Sequence, residues 1–310
     1  MRLNPIVKKD VKVQSRSMRI CWGVFAYELI LALVFFIAMI IIRENNVYST
    51  SNIYSNLVWL YPTLAATQLI IIGVVVPVRT ASAISGEKER QTFDIMMTTN
   101  MTPLSIIAGK VMTAIVQSMF YVAASMPIMA LCFVIGGMSW SYLFWFLAVA
   151  FLMSLFAASI GILCSSLCKR SISAVIMSYG FYLVFFLGTF LPYLFYMIIY
   201  ENRYYYGNTL SSYDYGENMW LFLLLNPIMY VLEFFGRIMT GESLVNMIPS
   251  SYTKGPINLV AVGNRWMIIS TILFLAVSFL FLFLAAKRIN PIKRHAKKLS
   301  NKKPPVPNAK

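Results

Sequence analysis

Six long apolar runs, separated by shorter polar segments, dominate the chain. A helix rises ~1.5 Å per residue, so about 20 residues cross a hydrocarbon core of ~30 Å. Each run reaches that length, and the pattern therefore predicts six transmembrane helices in an all-α polytopic membrane protein. The predicted spans are residues 20–42, 57–78, 111–136, 140–168, 171–200 and 266–286. Together they form one transmembrane domain over residues 1–290.

The segment between the fifth and sixth runs contains a further apolar stretch, residues 219–235, which Asn226-Pro227 interrupts and which carries Glu233. The charge distribution argues against a seventh span. With six spans, the N-terminal segment, residues 79–110, residues 169–170 and residues 287–310 carry a net charge of +17, and the opposite side carries −1. Basic loops stay in the cytoplasm. We therefore predict cytoplasmic termini, and a re-entrant or interfacial hairpin at the outer face over residues 219–235.

Two basic segments flank the six predicted spans. Residues 3–19 predict a helix lying in the headgroup region, because Asn4 and Pro5 suit its start and its basic residues fall on one stripe. A plain positively charged flank is the alternative. The stripe consists of Lys8, Lys12, Arg16 and Arg19, with Val7, Val11 and Met18 on an adjacent face. The tail, residues 291–310, is basic and contains several prolines, which predicts a disordered segment near the anionic inner leaflet.

The composition supports a membrane location. Hydrophobic residues make up 59% of the chain and charged residues 12%, compared with roughly 25% charged residues in soluble domains. The mean hydropathy is +0.71. In a soluble chain the net charge of +15 would suggest a nucleic-acid partner, but here it gathers on one side of the membrane. Membrane lipids, and not nucleic acid, are therefore the expected ligands of the basic residues.

The sequence contains no motif for catalysis or for a cofactor. The four cysteines have no histidine or carboxylate at ligand spacing, and the single histidine is His295 in the tail, so no metal site is predicted. Neither a GxxxxGK[ST] loop nor a GxGxxG turn occurs. The spans also lack the paired acids, histidines or serine dyad of an intramembrane enzyme. We expect a protein that is not an enzyme and that holds no cofactor.

Glu28 is the one ionisable residue well inside a predicted span. A carboxylate in lipid is costly, so Glu28 should face protein or a water-filled path. Two roles remain open: a polar group of a translocation path, or a structural carboxyl hydrogen-bonded to a neighbouring helix. Carriers coupled to protons or sodium usually contain several such groups. A single carboxylate therefore favours an energy source outside this chain.

Small residues recur on one face of the fourth predicted span. Ala157, Gly161 and Ser165 follow each other at four-residue spacing. Such residues allow helix backbones to approach closely. The pattern predicts tight packing, either within the subunit or at a dimer seam.

A charged segment, Ile84 to Lys110, separates the second and third apolar runs. Helical spacing pairs Glu87 with Arg90 and Arg90 with Asp94. A solvated helical loop would explain these charges alone. A docking helix would also explain the adjacent apolar patch, because partner surfaces combine a buried anchor with a charged rim. The predicted docking residues are Glu87, Glu89, Arg90, Phe93, Asp94, Met96 and Met97.

This segment resembles the cytoplasmic coupling helix of ABC transporter permeases of the type-2 exporter class. Members often read E-R-E-x-G-T-L-D-L-L-L-T-T-P-L-S-P, followed by G-K. Gln91 stands where many members carry Gly, and Asn100 stands where many carry Pro. The matching residues are Glu87, Glu89, Thr92, Asp94, Thr98, Thr99, Pro103, Gly109 and Lys110. The layout of the six spans fits the same class, so the resemblance covers most of the chain.

The resemblance implies a permease subunit of the cell membrane that pairs with a second permease copy or a homologue. Two cytosolic ATPase subunits would complete the complex, and their ATP hydrolysis would drive export by moving the coupling helix. An ATP-independent channel or secondary carrier that uses Glu28 as its coupling group is the alternative function. A membrane scaffold is a third. A peptide antibiotic, a lipid-linked precursor, a drug and an ion all remain open as substrates.

Overall fold

The computed structural model describes residues 7, 8, 10, 12, 13, 17–47, 56–93, 95, 102–136, 139–205, 217–241, 243 and 265–289. Every regular element in these residues is helical. The helices are α1 (Met18–Val47), α2 (Leu60–Glu89), α3 (Pro103–Ala124), α4 (Met126–Gly136), α5 (Ser141–Leu167), α6 (Ser171–Tyr205), a 3-10 helix (Glu217–Leu225), α7 (Pro227–Thr240) and α8 (Arg265–Ile289). Six of them, α1, α2, α3, α5, α6 and α8, are long and apolar enough to cross a membrane. The prediction of an all-α polytopic membrane protein is confirmed.

Two spanning helices extend well beyond the predicted apolar runs. α2 continues to Glu89 although the apolar run ends at Val78, and α3 begins at Pro103 although the next run begins at Val111. A helix continues for as long as its backbone groups are paired, whatever the polarity of its side chains. Thr102 caps α3, since its side-chain oxygen accepts a hydrogen bond from the Ser105 N–H at 3.3 Å.

The third predicted span, residues 111–136, is not a single helix in the structure. It breaks at Ser125 between α3 and α4. Pro127 explains the break, because its ring lacks an N–H and clashes with the carbonyl four residues earlier. The buried amide of Gln68 on α2 donates to Ser125 Oγ at 2.6 Å and so holds α2 against the break.

Helix α5 occupies the centre of the bundle. Nearly all of its residues from Leu152 to Ser166 are buried, and it packs against α2, α3, α6 and α8. The Phe156 ring lies at the middle of this core, with Phe185 at 5.5 Å and Phe274 at 4.9 Å between ring centroids. A helix that is apolar on all sides is expected to be enclosed by others. By contrast, α1 lies at the edge and exposes most of its apolar side chains.

The stretch at 219–235 is divided between two short helices, as Asn226-Pro227 predicted. The Asn226 side-chain oxygen accepts hydrogen bonds from the N–H groups of Ile228 and Met229 and so caps α7. At about 1.5–2 Å per residue, neither the 3-10 helix nor α7 is long enough to cross a membrane. Glu233 is buried and pairs with Arg237 at 2.7 Å. The location of this element at the outer membrane face stays a prediction.

The described part of the predicted N-terminal helix consists of residues 7, 8, 10, 12 and 13, all helical. Val7 is buried, whereas Lys8 and Lys12 are exposed. Its position in the headgroup region stays a prediction. The predicted tail, residues 291–310, lies outside the described residues.

Candidate functional site

The charged segment begins with the end of α2, which stops in a Schellman motif. The N–H of Gln91 bonds the Lys88 carbonyl at 3.2 Å, and the N–H of Thr92 bonds the Glu87 carbonyl at 3.0 Å. Gln91 has a φ of +59°, the left-handed conformation that favours glycine. Glycine adopts this conformation without a steric penalty, which gives a physical reason for the Gly that many type-2 permeases carry at this position. The single predicted helix over residues 87–97 is therefore wrong, because the helix ends at Glu89 and the chain turns at Gln91.

The three consecutive residues Glu87, Lys88 and Glu89 at this helix end each contact a different helix or helix end. We call these three residues, together with the groups that they bind on α3, α5 and α6, the α2 junction. Glu87 Oε1 lies 2.8 Å from Lys110 Nζ on α3. The same Lys110 ammonium lies 3.4 Å from Asp10 Oδ2. Lys110 is only 15% exposed, so water screens these ion pairs less than at an open surface. Glu87 thus connects α2 to α3, and Lys110 connects α3 to the N-terminal segment.

Lys88 reaches the end of the central helix. Its ammonium donates to the carbonyls of Ser165, Ser166 and Cys168 at 3.1, 2.6 and 3.2 Å. The last carbonyls of a helix have no intrahelical partner and carry the negative end of the helix dipole. A lysine at this point therefore satisfies orphan acceptors and stabilises the helix end.

Glu89 performs the opposite role at the start of α6. Its Oε2 accepts hydrogen bonds from the Ser171 N–H at 3.2 Å and from the Ser171 hydroxyl at 2.8 Å. A carboxylate at a helix N-terminus pairs with free N–H groups and with the positive end of the dipole. The α2 junction therefore holds α3, α5 and α6 to one end of α2.

A close backbone contact between α2 and α5 supports the junction. A Cβ added at Gly161 would overlap Thr80 Oγ1 and would lie 3.1 Å from the Ala81 nitrogen. One turn later, the Ser165 hydroxyl oxygen accepts hydrogen bonds from the N–H groups of Ile84 and Ser85 at 2.9 and 2.8 Å. The small residues of the fourth span therefore pack against α2 within the chain, the first of the two uses considered for them.

The apolar part of the predicted docking helix differs from its expected arrangement. Phe93 is 8% exposed and belongs to the protein's own core, with the Lys88 ammonium 5.8 Å from its ring centroid. Its ring is thus already buried and does not present itself to a partner. Arg90 and Ile95 are exposed. Asp94, Met96 and Met97 lie outside the described residues.

The intramembrane carboxyl, Glu28, lies on α1 at a partly buried position. Its Oε1 atom is inaccessible and has no hydrogen-bond partner among the described residues. The hydrogen bond to a neighbouring helix, one of the two roles considered for Glu28, is therefore not found at this atom. A second charged residue, Arg79, lies within α2, a helix long and apolar enough to cross a membrane. It escapes sequence reasoning because the apolar run stops one residue earlier. The signal that could have found it is the helix-compatible sequence that continues past Arg79 to Glu89.

The four cysteines are free thiols, of which Cys132 and Cys164 are buried in the core. Within the described ranges, no cluster of three or more His, Cys, Asp or Glu side chains could hold a metal ion. The chemistry of the site thus consists of ion pairs and hydrogen bonds that join helices.

Six helices are thus long and apolar enough to cross a membrane, and four helices meet at the α2 junction. The model of a family described as ABC-2 family transporter protein matches residues 40–287, which is more than half of the chain. The chain therefore belongs to the ABC-2 family of transporters and is a permease subunit of an ABC transporter. The match confirms the predicted resemblance of the chain to ABC-2 type permeases. A search of curated proteins finds no match.

Proposed function

We propose that this permease subunit couples ATP hydrolysis by a separate cytosolic ATPase to the export of a substrate across the cell membrane. The observation that carries the proposal is the α2 junction, where Glu87, Lys88 and Glu89 hold α3, α5 and α6. A displacement of this segment would move all these helices together. The charge distribution supports a cytoplasmic position for the junction, where an ATPase would reach it.

The exposed side chains beside the junction form the proposed docking surface. Glu89 links the end of α2 to the turn between α5 and α6, so both segments present one continuous face. The described residues of this docking surface are Glu89, Arg90, Gln91, Thr92, Ile95, Lys169, Arg170 and Ile172. Asp94, Met96 and Met97 continue the same segment and keep their predicted docking role. Because its exposed charge is mainly basic, the surface suits an acidic ATPase face with an apolar pocket for Ile95.

Two of the predicted docking residues take another role in this proposal. Glu87 binds Lys110, and Phe93 packs in the core, so both position the docking surface from within the chain. A second permease copy or a homologue would pack beside this subunit, and α1 offers it an exposed apolar face that includes Trp22, Phe25 and Phe36. Membrane lipids would cover what remains of that face.

The experiment that tests the proposal is co-purification of a Walker-type ATPase with the tagged chain from its native host. An Arg90→Glu, Ile95→Asp variant should retain at least about tenfold less ATPase, because it reverses an exposed charge and removes an exposed apolar contact. Membrane insertion and thermal stability should stay unchanged, since both side chains are exposed. Addition of salt should weaken the wild-type complex.

Arg265→Glu is the matched control, because it reverses an exposed arginine at the start of α8, away from the junction. It should retain the ATPase at the wild-type level. Full retention and full stimulation of ATP hydrolysis by the Arg90→Glu, Ile95→Asp variant would contradict the docking surface. Phe93→Ala is less informative, because it should lower thermal stability together with ATPase binding.

A further inference from the structure

A cavity of about 240 Å³ lies between α1, α2 and α3, away from the α2 junction. Its walls are mostly apolar, with Ile30, Ile71 and Val75 among them. Five polar side chains also line it: Tyr27, Arg79, Gln117, Ser118 and Tyr121. Apolar walls with a few convergent polar groups are typical of small-molecule sites.

The guanidinium of Arg79 is held in a defined position in this cavity. Its Nη1 donates to Gln117 Oε1 at 2.9 Å, and its Nη2 donates to the Tyr121 hydroxyl at 2.7 Å. Gly23 makes room for this arrangement, because a Cβ there would lie 2.8 Å from the Tyr121 hydroxyl. Three helices thus build the site, and the arginine is fixed before any ligand arrives.

The charge of Arg79 is not balanced by these partners, since both are neutral. Within the described ranges the ion pairs involve Lys110 and Arg237, and none involves Arg79. A cation enclosed by mostly apolar side chains is costly unless an anion or water compensates it. An anionic ligand in the cavity would remove this cost.

The depth of Arg79 indicates what kind of anion is available. Measured from Leu60 at ~1.5 Å per residue, a hydrocarbon core of ~30 Å ends near residue 80 of α2. Arg79 therefore lies at the boundary between acyl chains and headgroups. Lipid phosphates occupy this level, and basic pockets between transmembrane helices bind anionic headgroups. The guanidinium fork matches phosphate geometry.

We propose that the cavity between α1, α2 and α3 binds the phosphate of an anionic phospholipid through Arg79, with an acyl chain along the apolar wall. Gln117 and Tyr121 orient the guanidinium and leave its remaining N–H groups for the phosphate oxygens. The site belongs to the leaflet on the junction side of the membrane. It requires only a membrane-spanning bundle and does not depend on ATPase docking.

The test measures lipid retention by the purified full-length chain in neutral detergent, using native mass spectrometry and thermal unfolding. Phosphatidylglycerol should be retained in preference to phosphatidylcholine and should raise the unfolding temperature. Arg79→Gln should weaken phosphatidylglycerol binding roughly tenfold, the loss expected when one charge-assisted contact is removed. Arg79→Lys should keep part of the binding, because it retains the positive charge but not the guanidinium fork. Arg43→Gln, an exposed arginine at the far end of α1, should leave it unchanged.

Equal retention of phosphatidylglycerol by wild type and Arg79→Gln would overturn the proposal. A second result would also overturn it: inorganic phosphate stabilises wild type but not Arg79→Gln, and phosphatidylglycerol has no effect. The ligand would then be free phosphate. Should Arg79→Gln not be recovered, a photoactivatable phosphatidylglycerol serves instead. It should crosslink wild-type protein at Ile71 or Val75, and crosslinking only elsewhere would refute the site.

Discussion

At the scale of single residues, several polar side chains in this protein bind the backbone of neighbouring helices. Lys88 donates to carbonyls of α5, Glu89 accepts from the first N–H of α6, and the Ser165 hydroxyl accepts from N–H groups of α2. Backbone groups in or near lipid must find protein partners, since water is scarce there. Substitutions at these residues should therefore change helix contacts.

Gln91 provides a test of backbone conformation. A residue with a side chain loses roughly 1–2 kcal/mol in the left-handed region, and glycine avoids this at an entropic cost of roughly 0.5–1 kcal/mol. Gln91→Gly should therefore raise the free energy of unfolding by about 0.5–1 kcal/mol, and Gln91→Val should lower it. Thermal unfolding in detergent measures both. A lower melting temperature for Gln91→Gly would show that the Gln91 side chain matters more than its backbone.

A substitution at Glu28 can distinguish a role in transport from a role in assembly. Because its inaccessible Oε1 lacks a hydrogen-bond partner among the described residues, we expect a role in the translocation path. Glu28→Gln should lower transport several-fold while leaving insertion and ATPase binding intact. Glu44→Gln, at the exposed end of the same helix, is the control and should transport normally. Normal transport by a well-expressed Glu28→Gln protein would exclude the path, and loss of insertion would indicate a structural role.

At the scale of elements, the existence of the spanning helices follows from hydropathy, but their ends and neighbours do not. In the sequence, the charged residues Glu87 to Glu89 look separate from the apolar run before them. In the structure they complete α2, and their side-chain partners lie on other helices, which the sequence does not reveal. The sequence does not distinguish whether Phe93 anchors a partner or packs in the core, since burial of an aromatic ring is favourable in a partner's pocket and in the protein's own interior. The central position of α5 is visible beforehand only in its small residues.

The α2–α5 contact can be tested at Gly161. A methyl group there would overlap Thr80 Oγ1 and lie 2.9 Å from Thr80 Cβ, so Gly161→Ala should separate the helices and destabilise by about 1–3 kcal/mol. The control is Gly73→Ala on α2, where nothing lies within 4 Å of an added Cβ. Gly73→Ala should be neutral or slightly stabilising. Adding Thr80→Ala should restore part of the stability that Gly161→Ala removes. If Gly161→Ala does not lower the stability and Thr80→Ala does not raise it, this contact is loose.

At the scale of the whole molecule, the bundle combines a fixed centre with an open edge. α5 is enclosed by α2, α3, α6 and α8, and the α2 junction ties three of these helices to one another at one end. α1 contacts fewer neighbours and leaves an apolar face open. Force applied at the junction would therefore reach the centre of the bundle, while the edge accommodates lipid or a second permease.

The orientation of this bundle in the membrane is the last prediction. The net charge of +17 on the junction side and −1 on the other predicts that both termini are cytoplasmic and that residues 201–264 are outside. In a variant lacking the four native cysteines, Ser211→Cys should react with an impermeant maleimide in intact cells. Ser300→Cys should react only after permeabilisation, and so should Arg170→Cys in the exposed α5–α6 turn. Labelling of Ser211→Cys and Ser300→Cys from the same side would contradict the six-span topology, and external labelling of Arg170→Cys would place the junction beyond the reach of a cytosolic ATPase.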